Sequence, residues 1–480
     1  MQAADRRSGG KMRIANRAWT KICASLAILL GLASISAGQD IGAKADEYLT
    51  TWAKQGRFAG AVLIAKDGKI LLRKGYGMAN YELNVPNTPN MVFRIGSITK
   101  LFTAFSILQL EEKGLLSVND PAVKYLPELP AAWSAVTIHE LLCHTSGIPD
   151  LINAKAYSDL NDSRHVENAL KEYADKPLLS KPGETLRYSN SGYILLGRIV
   201  EKLSGKTYEE YLDENIFRPA GMTHTAFDHA ASVVPERASG YRWDGETIIN
   251  AAYGDPAFGS SAGALRSTLD DMYRFDRALK SGKLFSPAIT AKAWAAHAHW
   301  TMQPPFDFDA EYGYGWMIGV ESGHRYVGHG GWVNGFVSQF TRFPDDDAVL
   351  IVLWNFETAN NIQVSKDLSA ILFGAQYETP QLRPIVHPTP ETLMRYVGEY
   401  EVGPLKVQIS MRNGKLYAFG TGQPTPYGLI AVSDTEFYCN DAPSQIRFVK
   451  DEKGDVNQMM VKMGGKDLAI NRVTVAKTGD

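Results

Sequence analysis

The chain has 480 residues, 45% of them hydrophobic and 21% charged, with a formal net charge of −2. That balance supports a sizeable core and two or three globular domains. It carries no basic patch of the kind that nucleic acid demands, and no stretch beyond the first 37 residues is apolar enough to span a bilayer.

Residues 1–37 read as a cleavable secretory leader. Arg13, Arg17 and Lys21 follow Met12, then comes the apolar run Ile22 to Ala33, then the small residues Ser34, Ser36 and Ala37. The apolar run is too short to cross a membrane as a helix, although an uncleaved N-terminal anchor is the alternative. The mature chain is therefore expected to be secreted or periplasmic, with no stable membrane span. Of the three cysteines, Cys23 lies in the leader, and Cys143 and Cys439 are expected as unpaired thiols.

After a short helix, Ala61 to Lys66 and Lys69 to Lys74 flank Asp67-Gly68, which predicts a hairpin with a type I′ turn. The next helix begins at Ser97 and runs to Lys113, with Gly114 past its end and Ile98, Leu101, Phe105 and Leu108 on one face. Residues 115–300 read as helices and loops. Helices are expected over Ile138 to His144 and Ser191 to Leu203. Capping boxes are read at Thr207/Glu210 and Ser267/Asp270. From Tyr312 the pattern becomes a strand meander over Gly315–Val320, Arg325–Gly328, Asn334–Phe343 and Val349–Asn355, followed by a helix from Asn361 to Phe373. The order of elements predicts that the first hairpin joins these last strands in one sheet.

Pro380, Pro384, Pro388 and Pro390 mark a linker over 379–390. It separates a large unit at 38–378 from residues 391–480. There Leu405, Val407, Ile409 and Met411 alternate with polar residues, and Asn413-Gly414 and Gly464-Gly465 supply turns. A small antiparallel β-barrel or sandwich is expected.

The chemistry centres on Ser97-Ile98-Thr99-Lys100. A lysine three residues after a serine lies on the same helical face, about one turn away. It can take or share the hydroxyl's proton and so make a nucleophile. Tyr188-Ser189-Asn190 supplies a second candidate proton acceptor in Tyr188, while Asn190 could orient Lys100 and a substrate amide. Alone, that tripeptide reads first as an ordinary helix entry. In His329-Gly330-Gly331, the glycines would let substrate approach the backbone, and His329 could donate a hydrogen bond or carry charge. The backbone N–H groups of Ser97 and Trp332 are the expected oxyanion donors.

With these motifs in hand, the chain resembles the serine β-lactamase-like hydrolases, the group of class C β-lactamases, D-aminopeptidases and family VIII esterases. The resemblance covers residues 45–375. It rests on the Phe93–Lys100 segment, Leu141-Leu142-Cys143-His144-Thr145-Ser146-Gly147, Pro182-Gly183-Glu184, Tyr188-Ser189-Asn190, Ser261-Ala262-Gly263-Ala264-Leu265 and the His329 motif. It implies an α/β fold in which helices flank an antiparallel sheet, with an added helical region. It also implies an acyl-enzyme on Ser97, Tyr and Lys acting together as base, and no metal or cofactor. The C-terminal segment is similar to the lipocalin-like appendage of some members. His329-Gly330 stands where β-lactamases usually carry Lys-Thr. That difference points to esters, amides or D-residue peptides as small-molecule or peptide substrates, with β-lactamase or D-Ala-D-Ala carboxypeptidase activity as the same-class alternative. A non-catalytic cell-wall or ligand-binding module is the alternative of another class. The sequence sets no oligomeric state.

Two patterns mislead. Gly259-Ser260-Ser261-Ala262-Gly263 fits a nucleophile elbow but lacks a strand before it. His139 and His144 are five residues apart, about 140° around a helix, and so cannot share a metal from one face.

Overall fold

The computed structural model describes residues 40–151, 165–173, 175–243, 247–302, 308–357, 361–379, 385–403, 405–420, 426–439, 444–452, 454–463 and 466–473. Residues 1–37, expected as a leader and including Cys23, and Gly464-Gly465, expected as a turn, lie outside these residues.

An eight-stranded antiparallel sheet forms the centre of the large unit. Its strands are β1 (Gly60–Lys66), β2 (Lys69–Tyr76), β3 (Ala298–Met302), β4 (Phe308–Tyr312), β5 (Met317–Glu321), β6 (His324–Val333), β7 (Phe336–Phe343) and β8 (Ala348–Trp354), in spatial order β3-β4-β5-β6-β7-β8-β1-β2. The N-terminal hairpin thus completes the sheet built by the last strands, with Gly60 to Lys66 paired residue by residue to Trp354 to Ala348. Asp67 and Gly68 both take positive φ, at 52° and 72°, as a type I′ turn requires. The meander matches expectation, but β3 and β4 extend the sheet where loops were expected. His299, Asp309 and Glu311 alternate with apolar residues there, but each run is only five residues long and the two lie at one end of the sheet.

Strand alternation sorts side chains between two cores. Ala61, Leu63 and Ala65 face the helical region, while Val62 and Ile64 face the other layer. That second layer is helix α1 (residues 40–54) with the C-terminal helix Asn361–Phe373, contributing Tyr48, Leu49, Trp52, Val364 and Leu368. On the opposite side lies α2 (Thr99–Glu112), buried on nearly every face because it is apolar almost all round. Lys113 caps it and Gly114 turns left-handed at φ 72°.

The other expected helices also form. Ile138–Leu142 has a capping box from Thr137 and Glu140, and Asn190–Ser204 stops at left-handed Gly205. The capping box at Thr207/Glu210 is present. The one at Ser267/Asp270 is displaced by a residue: Thr268 caps helix Leu269–Ser281 by accepting from the Asp271 N–H. Ser267 is the last residue of a short strand paired with Phe93–Arg94, and its hydroxyl bonds Thr225.

Residues 398–472 close into an eight-stranded antiparallel barrel, from Gly398–Val402 to Lys466–Arg472. Its interior is filled by Tyr396, Tyr400, Phe437, Phe448 and Met459, so the barrel is a packed core. Arg57 bridges the two parts of the molecule, its guanidinium 4.5 Å from the Trp52 ring centre and 4.7 Å from that of Tyr438. Cys143 and Cys439 are both buried, and no disulfide joins them.

Candidate active site

Ser97 lies in a single 3₁₀ turn, Gly96–Ile98, that runs straight into α2. Its position at the helix N-terminus brings the helix dipole to bear on any anion formed there. Lys100, one turn on, is fully buried, and its Nζ is 3.1 Å from Ser97 Oγ. The same nitrogen donates to Asn190 Oδ1 at 2.8 Å and to the Ala262 carbonyl at 2.8 Å.

Burial lowers the Lys100 pKa to about 7, and the nearby Asp150 carboxylate opposes that shift only in part. A neutral amine has two N–H bonds and one lone pair. Both N–H bonds are committed to oxygens that can only accept, so the lone pair points at Ser97. The Ser97 side chain acts on the Tyr188 phenol against the upward push of burial, and the Lys100 nitrogen stands 4.8 Å from the Tyr188 ring centre. Burial pushes the Tyr188 phenol well up, which keeps it protonated. The hydroxyl, amine and phenol therefore converge, as the motifs predict. Asn190 begins its helix and Ser189 caps it by accepting from the Gly192 N–H, so the tripeptide is both a helix start and a wall of the site.

The third motif lies on β6, where His329 and Gly331 share one face. An added Cβ on Gly331 would lie 2.0 Å from the Ile95 carbonyl oxygen, and one on Gly96 would lie 2.7 Å from Trp332 N. Gly331 therefore serves backbone packing against the Ser97 turn, rather than substrate approach as the motif suggested. This packing brings the Trp332 backbone to the turn that carries the Ser97 N–H. The Trp332 side chain turns outward and is 67% exposed.

His329 departs from expectation. Its ring is buried, and burial together with the nearby Lys100 lowers its pKa to about 3. Nδ1 donates to the Gly330 carbonyl, so Nε2 is the acceptor and receives the Tyr312 hydroxyl at 3.0 Å. Tyr312 in turn accepts from His144 Nε2 at 3.1 Å, and His144 Nδ1 accepts from the Ser189 N–H at 3.1 Å. Both histidines are neutral, and the tautomer of each is fixed by its partners. With both ring nitrogens engaged, His329 is not a charged anchor for substrate. It ends a buried relay that ties the third motif to the second.

Sequence reasoning missed four participants. The Ala262 carbonyl belongs to the segment that mimics a nucleophile elbow. Within it, Ser261 is buried and donates to the Tyr193 carbonyl. His144 was weighed only as a metal ligand and rejected, yet its ring packs 4.4 Å from that of Tyr188. Trp300 stacks on the Tyr188 ring at 5.5 Å and 18°. Tyr312 was legible only as part of the aromatic and glycine alternation Tyr312-Gly313-Tyr314-Gly315-Trp316. His139 bonds Tyr314 and His144 bonds Tyr312, and no metal-binding cluster occurs among the described residues.

Activation of a serine by an amine one helical turn away, on this sheet-and-helix scaffold, defines the S-x-x-K class of serine hydrolases. The family model described as Beta-lactamase matches residues 43–372, and the chain belongs to that family. It is similar to Penicillin-binding protein 4* of Bacillus subtilis (strain 168), 31% identical over 450 residues that cover 88% of this chain and 96% of that protein. It is also similar to the teichoic acid D-alanine hydrolase of Staphylococcus aureus, 30% identical over 332 residues that cover 68% of this chain and 77% of that one. Among solved structures, the octameric penicillin-binding protein homologue from Pyrococcus abyssi aligns with a TM-score of 0.61 at 26% identity, over 89% of this chain and 99% of that one.

Proposed function

We propose that this protein is an exported hydrolase that cleaves ester or amide bonds of D-residues through an acyl-enzyme on Ser97. The observation that carries the reading is Lys100 Nζ 3.1 Å from Ser97 Oγ, with Asn190 Oδ1 and the Ala262 carbonyl each accepting from it at 2.8 Å, so that the neutral amine has its lone pair left for Ser97. Ser97 Oγ attacks the carbonyl carbon while its proton passes to Lys100. The oxyanion that forms is held by the backbone N–H groups of Ser97 and Trp332. Collapse expels the alcohol or amine, which takes a proton from the cluster formed by Lys100 and the Tyr188 hydroxyl. Water then attacks the acyl carbon, gives its proton to Lys100, and Ser97 leaves and is reprotonated. Asn190 orients Lys100 throughout.

A relative named for teichoic acid D-alanine hydrolysis supports the choice of D-residues, and the leader-like N-terminus supports export. The buried neutral His329 offers no cation to a substrate carboxylate, which weighs against β-lactam hydrolysis. The test is intact mass after incubation with a fluorophosphonate. A mass gain in the wild type that is absent in Ser97→Ala is expected. A gain that survives Ser97→Ala would overturn the assignment of Ser97, and no gain at all would favour a non-catalytic binding module.

A further inference from the structure

The backbone fixes where the Tyr188 side chain starts but not where its hydroxyl ends. The Arg187 N–H donates to the His144 carbonyl at 2.8 Å and the Ser189 N–H to His144 Nδ1 at 3.1 Å, so the main chain is tied on both sides of Tyr188. The ring can still turn about its side-chain bonds. Two aromatic neighbours restrain it: His144 at 4.4 Å, and Trp300 stacked at 5.5 Å and 18°. Trp300 comes from β3, the outermost strand of the sheet. It pairs with Ala310 and shares a strand face with Ala298, the partner of Tyr312. Its ring meets that of Tyr312 edge-on at 6.0 Å and 73°, and Tyr312 is itself pinned between His144 and His329. Trp300 is thus seated on a fixed ring and offers a flat face to a movable one. It is half-buried, and an indole exchanges no proton in the reaction.

Resting on the function proposed above, we infer that Trp300 is a positioning residue, whose stack holds the Tyr188 hydroxyl where it can hand a proton to the departing alcohol or amine. In that step the bond from the acyl carbon to the leaving oxygen or nitrogen breaks. The leaving atom takes the Tyr188 proton, and the proton that Lys100 received from Ser97 restores the phenol. A poor leaving group depends on this transfer, whereas a good one departs as an anion without it.

The test uses the full chain and two esters of one acid, the methyl and p-nitrophenyl esters of N-acetyl-D-alanine. In Trp300→Ala, kcat/KM for the methyl ester is expected to fall roughly 10- to 100-fold, the cost of a proton donor displaced by about 1 Å. The p-nitrophenyl ester, whose leaving group is far better, should be nearly unaffected. Trp300→Phe, which restores a flat ring, should recover most of the loss. Equal losses on both esters would overturn the inference, because a substrate contact or a disordered cleft acts on the shared acyl group whatever departs. An unchanged rate on the methyl ester would overturn it too. If Trp300→Ala does not fold, Trp300→Leu, which keeps bulk without a flat face, carries the same expectation and the same refutation. A fluorophosphonate expels fluoride, which needs no donated proton, so Ser97 labelling should survive each variant and separates the two proposals. Labelling with no dependence on the leaving group, or with neither ester turned over, sinks only the role of Trp300. Absent labelling in the wild type sinks the hydrolase reading beneath it.

Discussion

The cleft and the C-terminal barrel are built on opposite principles. Around Ser97 the interior holds Lys100, His144, Thr145, Ser189, His329 and Ser338, all buried. In the barrel, by contrast, the buried side chains are apolar or are tyrosines whose hydroxyls bond main-chain carbonyls, as Tyr396 does to Asp434 and Tyr400 to Tyr396. Among the described residues no buried charged, serine, threonine, asparagine or histidine side chain lies beyond Ser369. Burying a polar group is costly unless its partners are supplied, and burying a charge more so. The barrel avoids that cost and behaves as a packing unit. The large unit accepts it where an amine, two imidazoles and a phenol must meet without water.

The comparison breaks most visibly at Lys100. Lys100→Met is expected to cut acylation of Ser97 by roughly 10³-fold or more, since it removes the proton acceptor. The same change is expected to raise the Tm. An unfolded lysine binds its proton up to about pH 10.4, whereas the folded one gives it up at about 7. Between those values the unfolded state binds more protons, so stability climbs as pH rises from 7 towards 10, and below 7 the whole penalty remains. Removing the amine lifts it. A variant with lower Tm would show that Lys100 is stabilising, which this account denies.

In the barrel the expected effects are reversed. Phe448→Ala opens a void beside Tyr396 and Phe437 and should cost about 3–5 kcal/mol of that domain's stability. Ser97 labelling per folded molecule should be unchanged. Differential scanning calorimetry with fluorophosphonate titration measures both, and a proportional loss of labelling would show that the barrel supports the cleft.

A smaller effect is expected at Tyr312→Phe. Without the hydroxyl, His144 Nε2–H and His329 Nε2 both lose their partner, at a cost of about 1–3 kcal/mol each at most. Because His144 packs on Tyr188 and accepts from the Ser189 N–H, kcat should fall by roughly an order of magnitude with little change in KM. A KM effect alone would mean that Tyr312 contacts substrate instead of aligning the second motif.

Features written in local sequence were legible. Asp67-Gly68 and Asn413-Gly414 announce their turns because each needs two residues at positive φ. Ser97 and Lys100 announce theirs because three residues of helix fix their relation. The alternation of Leu405 to Met411 betrays a strand with one face on a core. Features that depend on long-range contact were not legible. The Ala262 carbonyl meets Lys100 across 162 positions of chain, and a main-chain acceptor leaves no mark in the residue type. The roles of His329 and Gly331 were misjudged for the same reason. Exposure decides whether a histidine carries charge, and the partner across the gap decides whether a glycine admits substrate or an Ile95 carbonyl. At Ser267 two overlapping S/T-x-x-D patterns compete. The strand pairing of Ser267 with Phe93, invisible locally, awards the cap to Thr268.

The central claim is that a neutral Lys100 takes the Ser97 proton. It is tested most directly by the second-order rate of fluorophosphonate labelling of Ser97 measured from pH 5 to 10. A rise governed by one ionisation near 7 is expected, absent in Lys100→Met. A rate independent of pH through that range, or one that climbs only towards pH ~10 as an ordinary lysine or tyrosine would dictate, contradicts it.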